Sequence, residues 1–350
     1  MGPNKKPTID DVARLAGVGR TSVSRVLNNG PNVRPELREK IQKAVSSLNF
    51  QVNQQARSLA SGRHKNIAII NASDFDEEPN SYYTAALEIG ALRTCANKAY
   101  HLQTHSINQN SPDAKNKIGE IITRNQYIGI ILTPPFSDNK SIIETALEND
   151  CKVVCISSSS SSQNLASVIG IDDEKAGYEI TKNLIEKGHR KFAYIKGLEH
   201  HLSAEKRFDG FIRATKEAKI KLDETLHLRG NFTFKSGIET AQKIFESKKE
   251  PSALICANDD MAAGALFSAH KFGLKVPEDI SIVGFDDTPV SEIVWPPLTT
   301  VHQPLKEMGS EAVELLINII ENRHGEIKPF FKFINFKIIE RQSAAQPKSN

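Results

Sequence analysis

The chain has 350 residues, with 45 Lys/Arg against 42 Asp/Glu, a formal charge of +3 and four cysteines. Its length suits more than one domain of ordinary size. No apolar run approaches the roughly 18 residues that a membrane-spanning helix needs, and no secretory-type leader is visible, so a cytoplasmic location is expected. Cys95, Cys151, Cys155 and Cys256 lack metal-ligand spacing and read as reduced thiols.

The charge is unevenly distributed. Residues 1–65 hold 12 Lys/Arg and 4 acids, a net of +8, which leaves −5 on the remainder. A basic end on an acidic body suits a DNA reader joined to a partner domain that does not bind DNA. Thr8 is placed to cap a first helix, with Asp11 closing a capping box, and it is also an expected DNA contact. Val12, Ala13, Leu15 and Ala16 form its apolar side, and Gly17 permits a tight turn. A second helix over 20–28 turns Val23, Val26 and Leu27 inward. Arg20, Thr21, Ser22, Ser24, Arg25 and the terminal Asn28 remain outside, where a major-groove helix contacts bases and phosphates. Pro35 opens a third helix with Ile41, Ala44, Val45 and Leu48 at helical spacing.

From residue 66 the pattern changes to strands alternating with helices. Strands are expected at 66–71, 100–105, 127–132, 152–157, 168–171, 191–196, 253–257 and 280–284. Helices are expected at 82–99, 174–187, 204–219, 236–246 and 259–272. This order predicts α/β architecture with parallel sheets and ligand binding at the carboxyl ends of the strands.

Three segments in one order carry a family resemblance. They are residues 8–28, Ala56-Arg-Ser-Leu-Ala-Ser-Gly62, and Val276-Pro-Glu-Asp-Ile-Ser-Ile-Val-Gly-Phe-Asp-Asp287 with Pro297-Leu-Thr-Thr-Val301. Together they resemble the lactose-repressor (LacI/GalR) family of transcription regulators over essentially the whole chain. The resemblance implies an all-α helix-turn-helix and a hinge helix, then a two-lobed periplasmic-binding-protein-like core of parallel sheets. The expected domains are 1–52 for the helix-turn-helix, 53–65 for the hinge and linker, and 66–342 for the effector-binding core. Its first lobe takes 66–169 and 303–330, its second 170–302 and 331–342, and 343–350 is a flexible tail. The chain is expected to cross between lobes near 170, 302 and 331.

The resemblance maps further DNA contacts onto Asn53, Ala56, Leu59 and Ala60 of the hinge. Leu59 would be the minor-groove wedge, unstacking a base step to bend the duplex. Three positions depart from the family pattern. Gly19 replaces the usual Ser cap of the recognition helix, Arg34 replaces the cap before Pro35, and Val52 replaces the usual Pro before Asn53.

For the cleft, the resemblance maps effector contacts onto Tyr82, Tyr83, Ser157, Arg207, Phe232, Asn258, Asp286, Trp295 and Gln303. Arg207 offers forked donors to hydroxyl oxygens, and Asp286 can accept from two hydroxyls. Phe232 is the expected stacking aromatic. Ser157 stands where relatives often carry Asp and begins a serine run to Ser162. Asp287 reads as structural. Ala91-Leu-Arg-Thr-Cys-Ala96 resembles relatives near glycoside-utilisation genes, which favours a sugar or oligosaccharide effector.

No dinucleotide loop, Gly-x-Ser-x-Gly, P-loop or His-Glu-x-x-His is present, and His200-His201 reads as a solvated loop. An enzyme, a cofactor and a metal are therefore not expected. The expected protein is a homodimeric transcriptional repressor with a palindromic double-stranded operator and a sugar effector. Two alternatives stand beside it: a nucleobase-type corepressor, and a sugar-binding protein without gene control.

Overall fold

The structure, a computed structural model, describes residues 7–27, 33–48, 50, 65–73, 81–158, 164–199, 201–322 and 328–348. Two compact units are separated, Met1–His64 and Lys65–Asn350. The expectations for Asn28, Asn53, Ala56, Leu59 and Ala60 lie outside the described residues.

The first unit holds helices α1 (Ile9–Ala16), α2 (Arg20–Leu27) and α3 (Pro35–Ser47). The Thr8 hydroxyl accepts the Asp11 amide at 3.3 Å, and the Asp11 carboxylate accepts the Thr8 amide at 2.9 Å, a complete capping box. Gly17 ends α1 at φ +60°, a left-handed conformation that a side chain adopts reluctantly. Val12, Ala13, Ala16, Val23, Val26, Ile41 and Ala44 form the core. Leu15, expected on the same side, is 55% exposed. At 100° per residue its direction falls outside the arc spanned by positions 12, 13 and 16.

In the second unit the first lobe runs β1 (Asn66–Ser73), α4 (Ser81–Lys98), β2 (His101–Asn108), α5 (Ala114–Asn125), β3 (Gly129–Leu132), α6 (Lys140–Glu148), β4 (Lys152–Ile156) and β5 (Ser167–Gly170). The second lobe follows with α7 (Asp173–Glu186), β6 (Phe192–Lys196), α8 (Leu202–Glu217), β7 (His227–Arg229), α9 (Phe234–Glu246), β8 (Ala253–Cys256), α10 (Asp259–Lys271), β9 (Ser281–Val283) and α11 (Val290–Ile293). Then come β10 (Thr300–His302), α12 (Leu305–Glu321), β11 (Phe331–Phe333) and β12 (Lys337–Ile339). One sheet has order β11-β5-β4-β3-β1-β2 and the other β7-β6-β8-β9, with every pair parallel. The inner strands β3, β4 and β8 are near-continuous apolar runs because helices cover both faces, whereas the edge strand β2 is polar and largely exposed.

Two boundaries differ from expectation. Residues 331–333 belong to the first lobe, since β11 pairs with β5, so the third crossing lies between β11 and β12 rather than near 331. β12 then pairs antiparallel with β10. The segment after 342 is not a loose tail as far as residue 348. Its backbone adds to the open edge of β9: Ile282 N–H donates to Ser343 O at 2.9 Å, and Ser343 is fully buried. The Ala345 carbonyl accepts from His189, and Lys348 pairs with Asp279. Unpaired strand-edge groups supply the driving force, which polar composition did not reveal.

Helices α7 and α8 pack closely through small residues. A Cβ on Gly210 would lie 2.0 Å from the Glu174 carbonyl oxygen, so only glycine permits this approach. Gly210→Ala is expected to push α8 away from α7 at a cost of about 1–3 kcal/mol. Urea unfolding measures it, and an unchanged midpoint would contradict the packing.

Candidate functional site

Several of the expected effector residues lie together where the strands of both lobes end. Ser157 follows β4, Asn258 follows β8 and Asp286 follows β9, all at carboxyl ends. The close packing of α7 and α8 sets Asp173, the first residue of α7, against Arg207 of α8. Arg207 is 4% exposed, and its Nε donates to Asp173 Oδ1 at 2.8 Å. Its Nη1 donates to the Ala257 carbonyl at 2.8 Å and lies 3.8 Å from Asp286 Oδ1. The guanidinium stacks 3.7 Å over the Phe285 ring. Gln303, 2% exposed, donates from Nε2 to Asp286 Oδ1 at 2.6 Å, and its Oε1 is buried with no hydrogen-bond partner among the described residues. One buried cation thus faces two buried carboxyls. The surface pairings available to Arg207 are taken elsewhere, since Glu205 pairs with Arg229 and Asp209 with Lys206.

Backbone strain marks the same place. Ten described non-glycine residues have positive φ, and six of them follow helix ends. The other four are Ser157, Phe232, Asp286 and Asp287, with Asp286 at φ 106°. Such conformations cost free energy unless their surroundings enforce them, and they gather at functional sites. Here Asp259 enforces the loop after β9: it accepts from the Thr288 amide at 2.7 Å and from the Thr300 hydroxyl at 2.6 Å. Asp287 accepts from Arg341 at 2.7 Å and contacts His302 Nδ1 at 2.9 Å, which braces the crossing as its structural reading requires.

Burial pushes Asp286 up to about 7 and Asp173 up to about 6, with Arg207 opposing both shifts. A carboxyl raised in the folded state holds its proton more tightly there than in the unfolded chain. Its contribution to stability is therefore full below the ordinary 3.8 and is lost as pH rises through about 7. Asp286→Asn is expected to flatten the fall in stability across that window. Urea midpoints taken over the same pH range test this, and parallel profiles for the two proteins would contradict it.

The remaining expected residues divide. Tyr83 places its phenol beside Ser157 in the field of Asp286, Arg207 and Asp173, and desolvation raises its pKa. Asn258 caps α10 by accepting the Met261 amide at 3.0 Å, and it donates to Phe232 O at 2.9 Å. Phe232 meets the His201 ring with centroids 4.8 Å apart. Tyr82 packs half-buried against the core, with no recorded contact to Arg207 or Asp286. Trp295 is 72% exposed. Of its two chain neighbours, Pro296 is buried and Val294 is half-buried.

Four residues were missed. Asp173, just before the expected helix at 174–187, was not singled out, although it is the nearest countercharge of Arg207. His201, read as part of a solvated loop, is half-buried against Phe232, and desolvation lowers its imidazole to about 3. The Ser203 hydroxyl donates to the Ser157 carbonyl at 2.8 Å, joining the lobes. Ser158 bonds Asp138, whose charge also acts on Asp173. No one-dimensional spacing marks any of the four. Among the described residues no cluster of His, Cys, Asp and Glu is arranged to hold a metal, and no helix is long and apolar enough to cross a membrane.

In the first unit Arg20, Thr21 and Arg25 are exposed, and Ser22 and Ser24 are half-exposed. Among the described residues, Arg20 forms an ion pair with Asp10 at 3.6 Å. Thr8 is committed to its capping box. Neither Gly19 nor Arg34 supplies a side-chain cap, consistent with the departures noted at both helix starts.

Residues 8–53 match the family described as bacterial regulatory proteins, lacI family, and residues 181–344 match a periplasmic binding protein-like domain. The HTH-type transcriptional repressor PurR of Vibrio atlanticus is 33% identical over 342 residues, covering 96% of this chain and 98% of that protein. The chain belongs to the lacI family. As a lacI-family member it is a DNA-binding transcription regulator and not an enzyme. Catabolite control protein A of Priestia megaterium is 33% identical over 88% of this chain and 91% of its own length. A solved transcriptional regulator CelR–cellobiose complex is 27% identical with a TM-score of 0.74, covering 97% of this chain and all of that one.

Proposed function

We propose that this lacI-family regulator is a cytoplasmic homodimer that represses carbohydrate-utilisation genes. Its effector is a sugar or oligosaccharide held between the lobes. The observation that carries this reading is the buried Arg207–Asp173–Asp286–Gln303 cluster. Guanidinium and amide groups donate to hydroxyl oxygens while carboxylates accept from hydroxyls, the pattern a polyol requires. Phe232 and His201 supply a ring surface for a sugar's apolar face. Tyr83, Ser157 and Asn258 complete the proposed site, and the sugar-bound CelR relative supports the ligand class. Arg20, Thr21, Ser22, Ser24 and Arg25 of α2 are assigned to the major groove. Asn28, and Asn53, Ala56, Leu59 and Ala60 of the hinge, extend that assignment by family resemblance. Two heads reading two half-sites make a palindromic operator.

A nucleobase corepressor is the second reading, favoured by the identity to PurR. Thermal unfolding of the full chain with panels of mono- and disaccharides and of purine bases separates the two. A true effector at about a hundredfold excess over its Kd stabilises by ~2.7 kcal/mol. A melting shift with a sugar supports the first reading, and a shift with purines alone overturns it.

A further inference from the structure

Outside the cleft, the second lobe carries an open groove of about 940 Å³ beside the edge strand β7. That volume is at the upper end of small-molecule sites. One face of α8 forms a wall with Phe208 and Ile212, and the turn after that helix adds Ile220 and Leu222. These four half-buried side chains make an apolar floor. Four lysines rim it, Lys196, Lys216, Lys219 and Lys221, against one acid in the lining, Glu224, while Glu205 and Asp209 also act on Lys196 from outside it. None of the four has a recorded ion pair among the described residues, although many other surface lysines do.

Lys196 is held over the Phe208 ring with its Nζ 3.6 Å from the centroid. Burial lowers the pKa of this ammonium, so an anion beside it would be favoured. At the base of the groove the buried Nε2 of His227 has no hydrogen-bond partner among the described residues. The chemistry is that of a cationic rim over an apolar floor, with one unsatisfied nitrogen below.

We infer that this groove is a second ligand site, separate from the interlobe cleft, for a small organic anion with an apolar body: a carboxylate or phosphate monoester carrying an aromatic or aliphatic group. The anionic head meets the lysines, where charge-assisted hydrogen bonds are strongest, and the body covers Phe208, Ile212, Ile220 and Leu222. Phe208 and Arg207 are neighbours on the same helix, one facing the groove and the other the buried ion pairs.

The test uses the full chain, calorimetry and thermal unfolding with benzyl phosphate and phenylacetate. Benzyl alcohol and inorganic phosphate serve as the uncharged and headgroup-only controls. At least one organic anion is expected to bind and raise Tm, with little effect from either control. The variant Lys216→Glu/Lys221→Glu changes two exposed side chains, so it should melt like the parent without ligand and bind about tenfold or more weakly. The proposal is overturned if neither anion binds, if inorganic phosphate alone gives the same shift, or if the double variant binds equally well. That last result would place the probe elsewhere, the Arg207 cleft included.

Discussion

Replacing Arg207 by Met is expected to destabilise the second unit by about 3–5 kcal/mol, the usual effect of leaving buried charge unpaired. Arg207 touches both Asp173 and Asp286, each almost fully buried, and it also satisfies the Ala257 carbonyl. Its loss leaves two carboxyls without a countercharge. Both would then bind protons more readily, so the variant should recover stability as the pH falls below neutrality. A second substitution separates folding from binding. Arg207→Met/Asp173→Asn removes one stranded carboxylate and should restore a large part of the stability. It should not restore sugar-dependent stabilisation, because the forked donor remains absent. Urea unfolding with and without the sugar reads both quantities. Wild-type stability in Arg207→Met would contradict the buried cluster, and an intact sugar response in the double variant would contradict its assignment to the effector.

The double replacement Arg20→Ala/Arg25→Ala is expected to act on DNA alone. Both side chains are exposed on α2, and the pairing of Arg20 with Asp10 is a loose surface contact. Removing them should change stability by no more than about 0.5 kcal/mol. Operator affinity should fall by about 1–3 kcal/mol for each arginine that reads a base. For each that instead neutralises a phosphate, the salt dependence should weaken by about one unit of slope. Fluorescence anisotropy across a salt series distinguishes the two roles. Unchanged affinity and slope would remove α2 from the DNA interface.

The fold was legible wherever a pattern ran long enough to repeat. The capping box at Thr8 and Asp11 and the seven strands of four or more residues all announce themselves over several residues. Five strands are only three residues long; β9 was legible because it lies inside the 276–287 motif, whereas β7, β10, β11 and β12 are defined only by pairing across the chain. The same limit applied to the segment after 342, whose partner is an edge of β9 about sixty residues earlier. At the cleft, Arg207, Asp286 and Gln303 could be named because they sit inside recognisable motifs. Asp173 and His201 sit outside them, and their importance lies in three-dimensional neighbours, a guanidinium and an aromatic ring.

The most direct measurement is the affinity of the full chain for a duplex selected from a random pool, with and without the sugar that most raises its melting point. Coupling between the cleft and the DNA-binding unit predicts a change of about 5–150-fold on adding sugar. No change is expected in Arg207→Met/Asp173→Asn, and binding to unselected duplex should be far weaker throughout. Equal affinity with and without sugar, or equal affinity for selected and unselected duplexes, would contradict a sugar-controlled operator switch.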